Sequence, residues 1–439
     1  MRADISGFPE FLPNEQIAFD TVKNEIIKSF ESFGFSPLDT VAVERVSTLL
    51  SKGNDNEIYG LFRLADSRDK KDLGLRFDLT VPLARYVSSY HNELTFPFKR
   101  YQIAPVWRGE RPQYGRYRQF YQCDIDILGD GDLSLNYDAE VISAIIRTLE
   151  IIHVPAFHTY LNNRKILSGF MKTIVPEDKI IGLVRILDKS DHFTFEEFKT
   201  QIIEFGLTED QFDKIQNFLN GDQRGDNFEV IHWLKSLQIN EEFQAGVSEL
   251  ETVLNLLKQI NISDETVKIS LKLARGLSYY TGSIFETKLD NEPDIGSISG
   301  GGRYENLTSL LSKHKCPGVG ATIGISRLVP KLMEKGILRT DRSSPAEILV
   351  TVQNPEYIGT YMRIAENFRT FGVRTELYLQ NKPLKAQITY ASKKGIRYVF
   401  IANDEELLKG DGIIRNLETR EQQTIHTHFV GNNLKDLLK

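Results

Sequence analysis

The chain has 439 residues, 41% of them hydrophobic and 26% charged, with a formal net charge of -6. At about 150 residues per domain this predicts roughly three compact units, and the balance excludes a mostly disordered chain. No run approaches the roughly 20 uninterrupted apolar residues of a bilayer span, and two cysteines, Cys123 and Cys316, are too few for a disulfide framework or a four-thiolate zinc site. The amino terminus is broken by Asp4, Pro9 and Glu10 and carries no apolar core of signal-peptide type, so a reducing cytoplasm is the expected compartment.

In chain order, residues 14–33 read as an amphipathic helix. Asn14 stands at the N-cap position, Ile17, Ile26, Ile27, Phe30 and Phe33 form the apolar stripe, and Gly34 marks the stop. Residues 96–128 read as a β-hairpin, with FKRYQIAPVWRG and RQFYQCDIDIL alternating in polarity around the long loop ERPQYGRY. Residues 165–262 read as several helices, with capping-box spacing at Thr194 and Glu197 and at Thr208 and Gln211. Strands and a glycine cluster return over 268–335, and Pro330 confines the last helix there to a start near Ser326 or Arg327. The segment GILRTDRSSP (336–345) is a linker in composition. Beyond it EILVTV, YIGTYMRIAENFRTFG, VRTELYL, PLKAQITYASKKG and IRYVFIA alternate as strand and helix, which predicts a small, mostly parallel α/β domain.

Charge is unevenly divided. Residues 345–439 hold 13 Lys and Arg against 11 Asp and Glu, a net of +2, so residues 1–344 carry -8. Inside that acidic part residues 98–122 hold Lys99, Arg100, Arg108, Arg111, Arg116 and Arg118 against Glu110 alone, which predicts a site for a polyanion.

Arg108 and Glu110 are two apart near a strand end and share a face. A guanidinium fork there can grip a phosphate, and the carboxylate can accept from an exocyclic amine. Tyr114, Tyr117, Phe120 and Tyr121 interleave with the loop arginines. Gln122, Asp124 and Asp126 recur at period two and face one way. That face is an exposed strand surface, a hard-oxygen site suited to Mg2+, or a polar pocket for ammonium and N–H donors; spacing leaves all three open. Arg275, in apolar surroundings, needs an anion if buried. Tyr279 and Tyr280 point to opposite faces of a strand. The Gly300-Gly301-Gly302 run is either a turn or a place where backbone approaches a ligand, with Arg303 and Tyr304 beside it. GVGATIGISRL (318–328) reads as a strand entering a helix with Arg327 near its start, where free N–H groups favour a phosphate. Its glycines fit no dinucleotide fingerprint, and the chain has neither a Walker lysine motif nor a Ser or Cys nucleophile in an elbow.

Taken together, these motifs resemble those of class II aminoacyl-tRNA synthetases, the histidyl-tRNA synthetase family in particular. VWRGERPQYGRYRQFYQCDID is similar to the second class II motif in its histidyl form, and GVGATIGISRL to the third. ARGLSYYTG and GGGRYENL resemble the two histidine-specific motifs, and LRFDLTVPLARY (75–86) the amino-acid-binding strand. The likeness covers about 10–165, 265–335 and 345–439. It implies an α+β catalytic domain over 1–335 with a central antiparallel sheet flanked by helices. A helical insertion at 165–262 interrupts it, and the 336–345 linker leads to an α/β anticodon-binding domain at 346–439.

The resemblance also implies roles. Arg108 and Arg275 would be the catalytic residues, Arg108 on the ATP α-phosphate and Arg275 beside it and the histidine carboxylate. Glu110 would hold the adenine amine, and Arg116 and Arg327 the outer phosphates. Asp78, Leu79, Thr80 and Gln122 would form the ammonium end of the histidine site. Asp126 and Tyr280 would bond the imidazole, with Tyr279 and Tyr304 lining the pocket. ATP with Mg2+, L-histidine and tRNA(His) would be the substrates and partners, the chain a homodimer, and no membrane would be involved. Two positions depart from the family: Val41 stands where the first motif usually has proline, and Ser278 where aspartate precedes the tyrosine pair. A non-ligating paralogue, such as the regulatory subunit of histidine biosynthesis, usually lacks the carboxy-terminal domain and degrades the arginine pattern; both are present here.

Overall fold

The computed structural model describes residues 5–50, 62–64, 72–112, 115–188, 190, 193–274, 280–305, 308 and 313–426. The chain divides into two compact units, Met1–Pro9 with Val22–Lys331 and Glu10–Thr21 with Leu332–Lys439.

The first unit takes up helix α1 (Pro13–Ser32) from Val22 onward and strand β1 (Ser36–Pro37). A small antiparallel sheet follows, β2 (Val43–Arg45), β3 (Arg63–Leu64) and β4 (Leu73–Leu75), with helix α2 (Val46–Leu49). After α3 (Thr80–Tyr90) come the hairpin strands β5 (Phe98–Trp107) and β6 (Gln119–Leu128), then α4 (Asn136–Ile151) and β7 (Phe157–Asn163). Helices α5 (Arg164–Met171), α6 (Glu177–Asp188), α7 (Phe195–Glu204), α8 (Glu209–Leu219), α9 (Asn227–Ser236) and α10 (Glu241–Gln259) form the helical middle. Strands β8 (Val267–Ile269), β9 (Tyr280–Leu289), β10 (Ser297–Tyr304) and β11 (Gly318–Ile323) lead into α11 (Ile325–Glu334).

Eight of these strands form one sheet in the order β1-β5-β6-β11-β10-β9-β7-β8. Its interior pairings are antiparallel, and only the short edge strands β1 and β8 pair in parallel. Helix α4 covers one face. Cys123, Ile125 and Ile127 are fully buried. Ile127 lies in register with Val319, and Val319 with Arg303. The Arg303 guanidinium donates to Asp138 of α4 at 2.7 Å, so this odd-numbered row of β6 belongs to the helix-covered face. Even-numbered β6 residues point to the opposite face, which carries the polar side chains.

Helix α1 departs from its predicted stripe. It begins at Pro13, a residue suited to a first helical position, so Asn14 is not its cap; the Asn14 amide donates to the Thr340 carbonyl at 2.8 Å. The buried face runs through Phe19, Val22, Ile26 and Phe30, while Ile17, Ile27 and Phe33 are half-buried. Both predicted capping boxes are present, Thr194 with Glu197 and Thr208 with Gln211. The insertion has its own aromatic core, in which Phe170 stacks on Phe218 at 3.8 Å.

The second unit contains β12 (Ile348–Val350), α12 (Ile358–Thr370), β13 (Thr375–Leu377), α13 (Leu384–Lys393), β14 (Tyr398–Ile401), α14 (Asp404–Lys409), β15 (Asp411–Asn416) and β16 (Gln422–His426). The sheet order is β13-β12-β14-β15-β16. The first three strands are parallel, as the alternation predicts, but β14, β15 and β16 are antiparallel, so the sheet is mixed rather than mostly parallel. Ile348, Val350, Tyr361, Phe368 and Phe400 fill its core. Among the described residues, no helix is long and apolar enough to cross a membrane.

Candidate active site

The polar face of the eight-stranded sheet is built by register. Hairpin pairing sets Arg100 opposite Asp126, Gln102 opposite Asp124 and Ala104 opposite Gln122. On the other flank β11 sets Gly320 beside Asp126 and Thr322 beside Asp124. Gln122, Asp124 and Asp126 are all buried, at 8%, 4% and 4% exposure, which overturns an exposed strand surface.

Asp126 is clasped from both sides. Its Oδ1 accepts from the Tyr304 hydroxyl at 2.8 Å, and its Oδ2 meets Arg100 Nη2 at 2.5 Å. Tyr304 reaches it from β10 across β11, and glycine makes the crossing possible. A Cβ at Gly318 would lie 2.4 Å from the Tyr304 ring, and one at Gly320 would lie 2.0 Å from Asp126 Oδ1. A Cβ at Gly302 would meet the Tyr280 ring at 2.9 Å. Tyr280 pairs in register with Tyr304, and both pack on Ala84. Burial, and then the Asp126 charge, push the Tyr304 hydroxyl well above its usual range, so it is a donor to that carboxylate.

Asp78 precedes α3, and its Oδ1 accepts from the Val81 N–H at 2.9 Å, which fixes the carboxylate at the helix start. Thr80 is the first residue of that helix. Leu79 is fully buried against Ala104 and Val106, so its side chain anchors the segment from beneath and does not line a pocket. Gln122 Nε2 donates to Thr322 Oγ1 at 3.4 Å. Asp124 is raised to about 7, chiefly by burial; Arg100 and the Thr322 hydroxyl oppose the rise, and Asp126 and Asp78 add to it.

Farther along the same face Phe120 continues the row of Gln122, Asp124 and Asp126. The Arg108 guanidinium lies 4.9 Å from the Phe120 ring centroid and donates through Nε to the Phe77 carbonyl at 3.1 Å. β5 ends at Trp107, so Arg108 and Glu110 lie past the strand rather than on one strand face. The hairpin loop is braced by Arg108 N to Arg118 O at 2.8 Å and by Arg118 Nε to Glu110 O at 3.1 Å. Arg327, in the first turn of α11, donates to Gly115 O of this loop at 3.0 Å and to Ser297 O of β10 at 2.8 Å. Arg108 and Arg327 are thereby tied to one loop. Arg116 is exposed and Glu110 half-buried. Arg275, Tyr279 and Ser278 lie outside the described residues.

The hairpin's six cations do not form one polyanion surface. Arg100 is fully buried on Asp126, Lys99 bonds Glu140 and the Phe33 carbonyl at 2.6 Å each, and Arg118 braces the loop. Nor does Arg303 stand beside the site; it is on the opposite, helix-covered face, bound to Asp138 and to the carbonyls of Leu133 and Ser134. Sequence reasoning missed Arg100 as a site residue, along with Gln102, Phe120 and Thr322. Once the hairpin register is known, Arg100 falls opposite Asp126, and that is the signal that finds it.

The family model described as histidyl-tRNA synthetase matches residues 7–328, and the anticodon binding domain model matches 347–437. The chain belongs to the histidyl-tRNA synthetase family. A histidine–tRNA ligase of Clostridium tetani is 41% identical over 96% of this chain and 95% of its own length. One from Finegoldia magna is 39% identical over 98% and 99%. The crystal structure of histidyl-tRNA synthetase from Nostoc sp. PCC 7120 superposes with a TM-score of 0.89 at 35% identity, covering 100% of this chain and 99% of that one.

Proposed function

We infer that this chain is a histidine–tRNA ligase, which activates L-histidine with ATP and transfers it to the 3′ end of tRNA(His). The single observation that carries the residue roles is the continuous face running from clasped Asp126, through Asp124 and Gln122, to Phe120 under Arg108. In the first step a carboxylate oxygen of histidine bonds to the α-phosphorus and pyrophosphate leaves. In the second, a ribose hydroxyl of the terminal adenosine attacks the acyl carbon and AMP leaves. Two anions meet in the first step, so fixed cations must lower the barrier, and no protein nucleophile is required.

Arg108 takes the α-phosphate, held in its orientation by the Phe77 carbonyl and the Phe120 ring. Arg275 acts on the same phosphate and on the histidine carboxylate. Glu110 accepts from the adenine amine, and Arg116 and Arg327 take the outer phosphates. Asp78, Thr80 and Gln122 receive the ammonium, with Leu79 anchoring their segment. Asp126 and Tyr280 read the imidazole, and Tyr279 and Tyr304 line its pocket. Among the described residues no three His, Cys, Asp or Glu side chains gather into a metal cage. A Mg2+ ion bound together with ATP would supply further positive charge at the phosphates.

Residues 1–335, with the 165–262 insertion, carry adenylation, and 346–439 bind the anticodon end of tRNA. That segment's net of +2 leaves much of the recognition to shape and local contacts. The active form is a cytoplasmic homodimer, with the half-exposed Val41 segment at its interface. Charging of a tRNA(His) transcript with labelled histidine tests the reading: histidyl-tRNA should accumulate with one AMP per product. Adenylate formation without any charging would place the chain with the non-ligating relatives.

A further inference from the structure

The chemistry just proposed uses Gln122 and Asp126 but leaves Asp124, between them on the same face, without a role. The flanking Asp126 carboxylate differs from it. Both oxygens of Asp126 are engaged, one by Tyr304 and one by Arg100. Asp124 is 4% exposed and Gln122 8%, yet among the described residues Asp124 Oδ1 and Gln122 Oε1 have no hydrogen-bond partner. A buried acceptor left unmet is costly, so two adjacent ones mark a place for a donor.

The charges nearby say which donor. Asp78 lies close enough to Asp124 to raise its proton affinity, and Asp78 Oδ1 is already bonded to the Val81 N–H. With Asp124 ionised, Asp124 Oδ1, Gln122 Oε1 and the nearby Asp78 carboxylate thus offer three acceptors and two negative charges. An ammonium brings three N–H donors and one positive charge. A ring N–H would satisfy only one of the three.

We propose that Asp124 is a third ammonium-binding residue of the amino-acid site, the charged partner that completes a cradle with Gln122 and Asp78. This rests on the histidine-site reading above. Thr322 holds Asp124 in place from β11, and Arg100 and Arg76 supply the positive surroundings that let it ionise. The charged groups facing Asp124 are Arg100 on β5, Asp126 on β6, Asp78 before α3 and Arg76 after β4. Cys123, its neighbour in sequence, points to the other face, where burial keeps its thiol neutral.

The test compares two ligands on the full-length chain by calorimetry: histidinol, which carries the ammonium, and imidazolepropionate, which has the ring without it. Asp124→Asn should weaken histidinol about 10- to 100-fold while changing imidazolepropionate by less than about threefold, ATP affinity being kept. Equal losses for both ligands would move Asp124 to the ring or to a purely structural role, and undiminished histidinol binding would remove it from the site. Both results overturn the proposal. Should Asp124→Asn lose ATP binding as well, Asp124→Ser, which removes the charge with a smaller side chain, is read against the same criteria. A wild-type chain that binds neither ligand contradicts the histidine-site reading itself, a result distinct from failure of Asp124 alone.

Discussion

The Tyr304 hydroxyl on β10 bonds Asp126 on β6 at 2.8 Å by passing over β11, where Gly318 and Gly320 leave its path clear. Those two glycines stand in the GVGATIG segment, where a phosphate site is an attractive reading. Their work is to let side chains from the two strands that flank β11 meet. Gly320→Ala places a methyl 2.0 Å from Asp126 Oδ1, so the carboxylate must leave its position. We expect about a 100-fold fall in kcat/KM for histidine, with ATP affinity preserved. Gly324→Ala meets only the Ile298 carbonyl at 3.5 Å and should stay within about threefold. Steady-state kinetics on the two variants separate these outcomes; equal effects would detach the glycine from the clasp.

Arg100 has no exposed surface and neutralises Asp126. Arg100→Met should cost roughly 3–5 kcal/mol, because it leaves a buried carboxylate without its cation. Adding Asp126→Asn should restore part of that loss, since the orphaned charge is removed too. Urea unfolding of the single and double variants measures the coupling. Strictly additive losses would mean the pair is not a unit.

Phe120 props the Arg108 guanidinium. Phe120→Leu removes a contact worth about 0.5–2 kcal/mol and should raise KM for ATP by roughly 3- to 30-fold, leaving KM for histidine within about twofold. A larger effect on histidine than on ATP would place the ring at the wrong end of the site.

Asp124 gives a pH signature. Its carboxyl is raised to about 7 from an ordinary value of 3.8. The folded state therefore holds this proton more tightly than the unfolded chain does, so stability falls as pH rises from 3.8 to about 7 and levels off above it. At pH 5 only part of that loss has accrued; at pH 8 all of it has. Asp124→Asn should raise Tm of the ligand-free protein at pH 8 by roughly 2 °C or more, and by clearly less at pH 5. Equal shifts at both pH values would show that Asp124 is not held back from ionising.

Much of this site is legible in the sequence because a strand's period is fixed. Gln122, Asp124 and Asp126 share a face on spacing alone, and the hairpin follows from alternation around a Pro- and Gly-bearing loop. Period two does not say whether a face is covered, so those residues remain open to an exposed reading until β5 and β11 are seen beside them. Arg100 and Lys99 count as surface cations in the sequence because the loop's length hides the register that buries Arg100 and the pairing that sets Lys99 on Glu140. Arg303 and Tyr304 are adjacent in sequence yet serve opposite faces, one bound to α4 and the other to Asp126. In α1 the buried stripe is turned toward Phe19 and Val22, since the helix's partners and not its own composition choose the face. The antiparallel β15 escapes notice because its residues, DGIIRN, are few and half polar.

The most direct measurement is amino-acid-dependent exchange of labelled pyrophosphate into ATP, run with the full-length chain against a panel of the standard amino acids. Exchange that responds to histidine, and stays at background with the others, is the predicted result. Background exchange with histidine, or faster exchange with any other amino acid, would contradict the assignment of this sheet face to histidine activation.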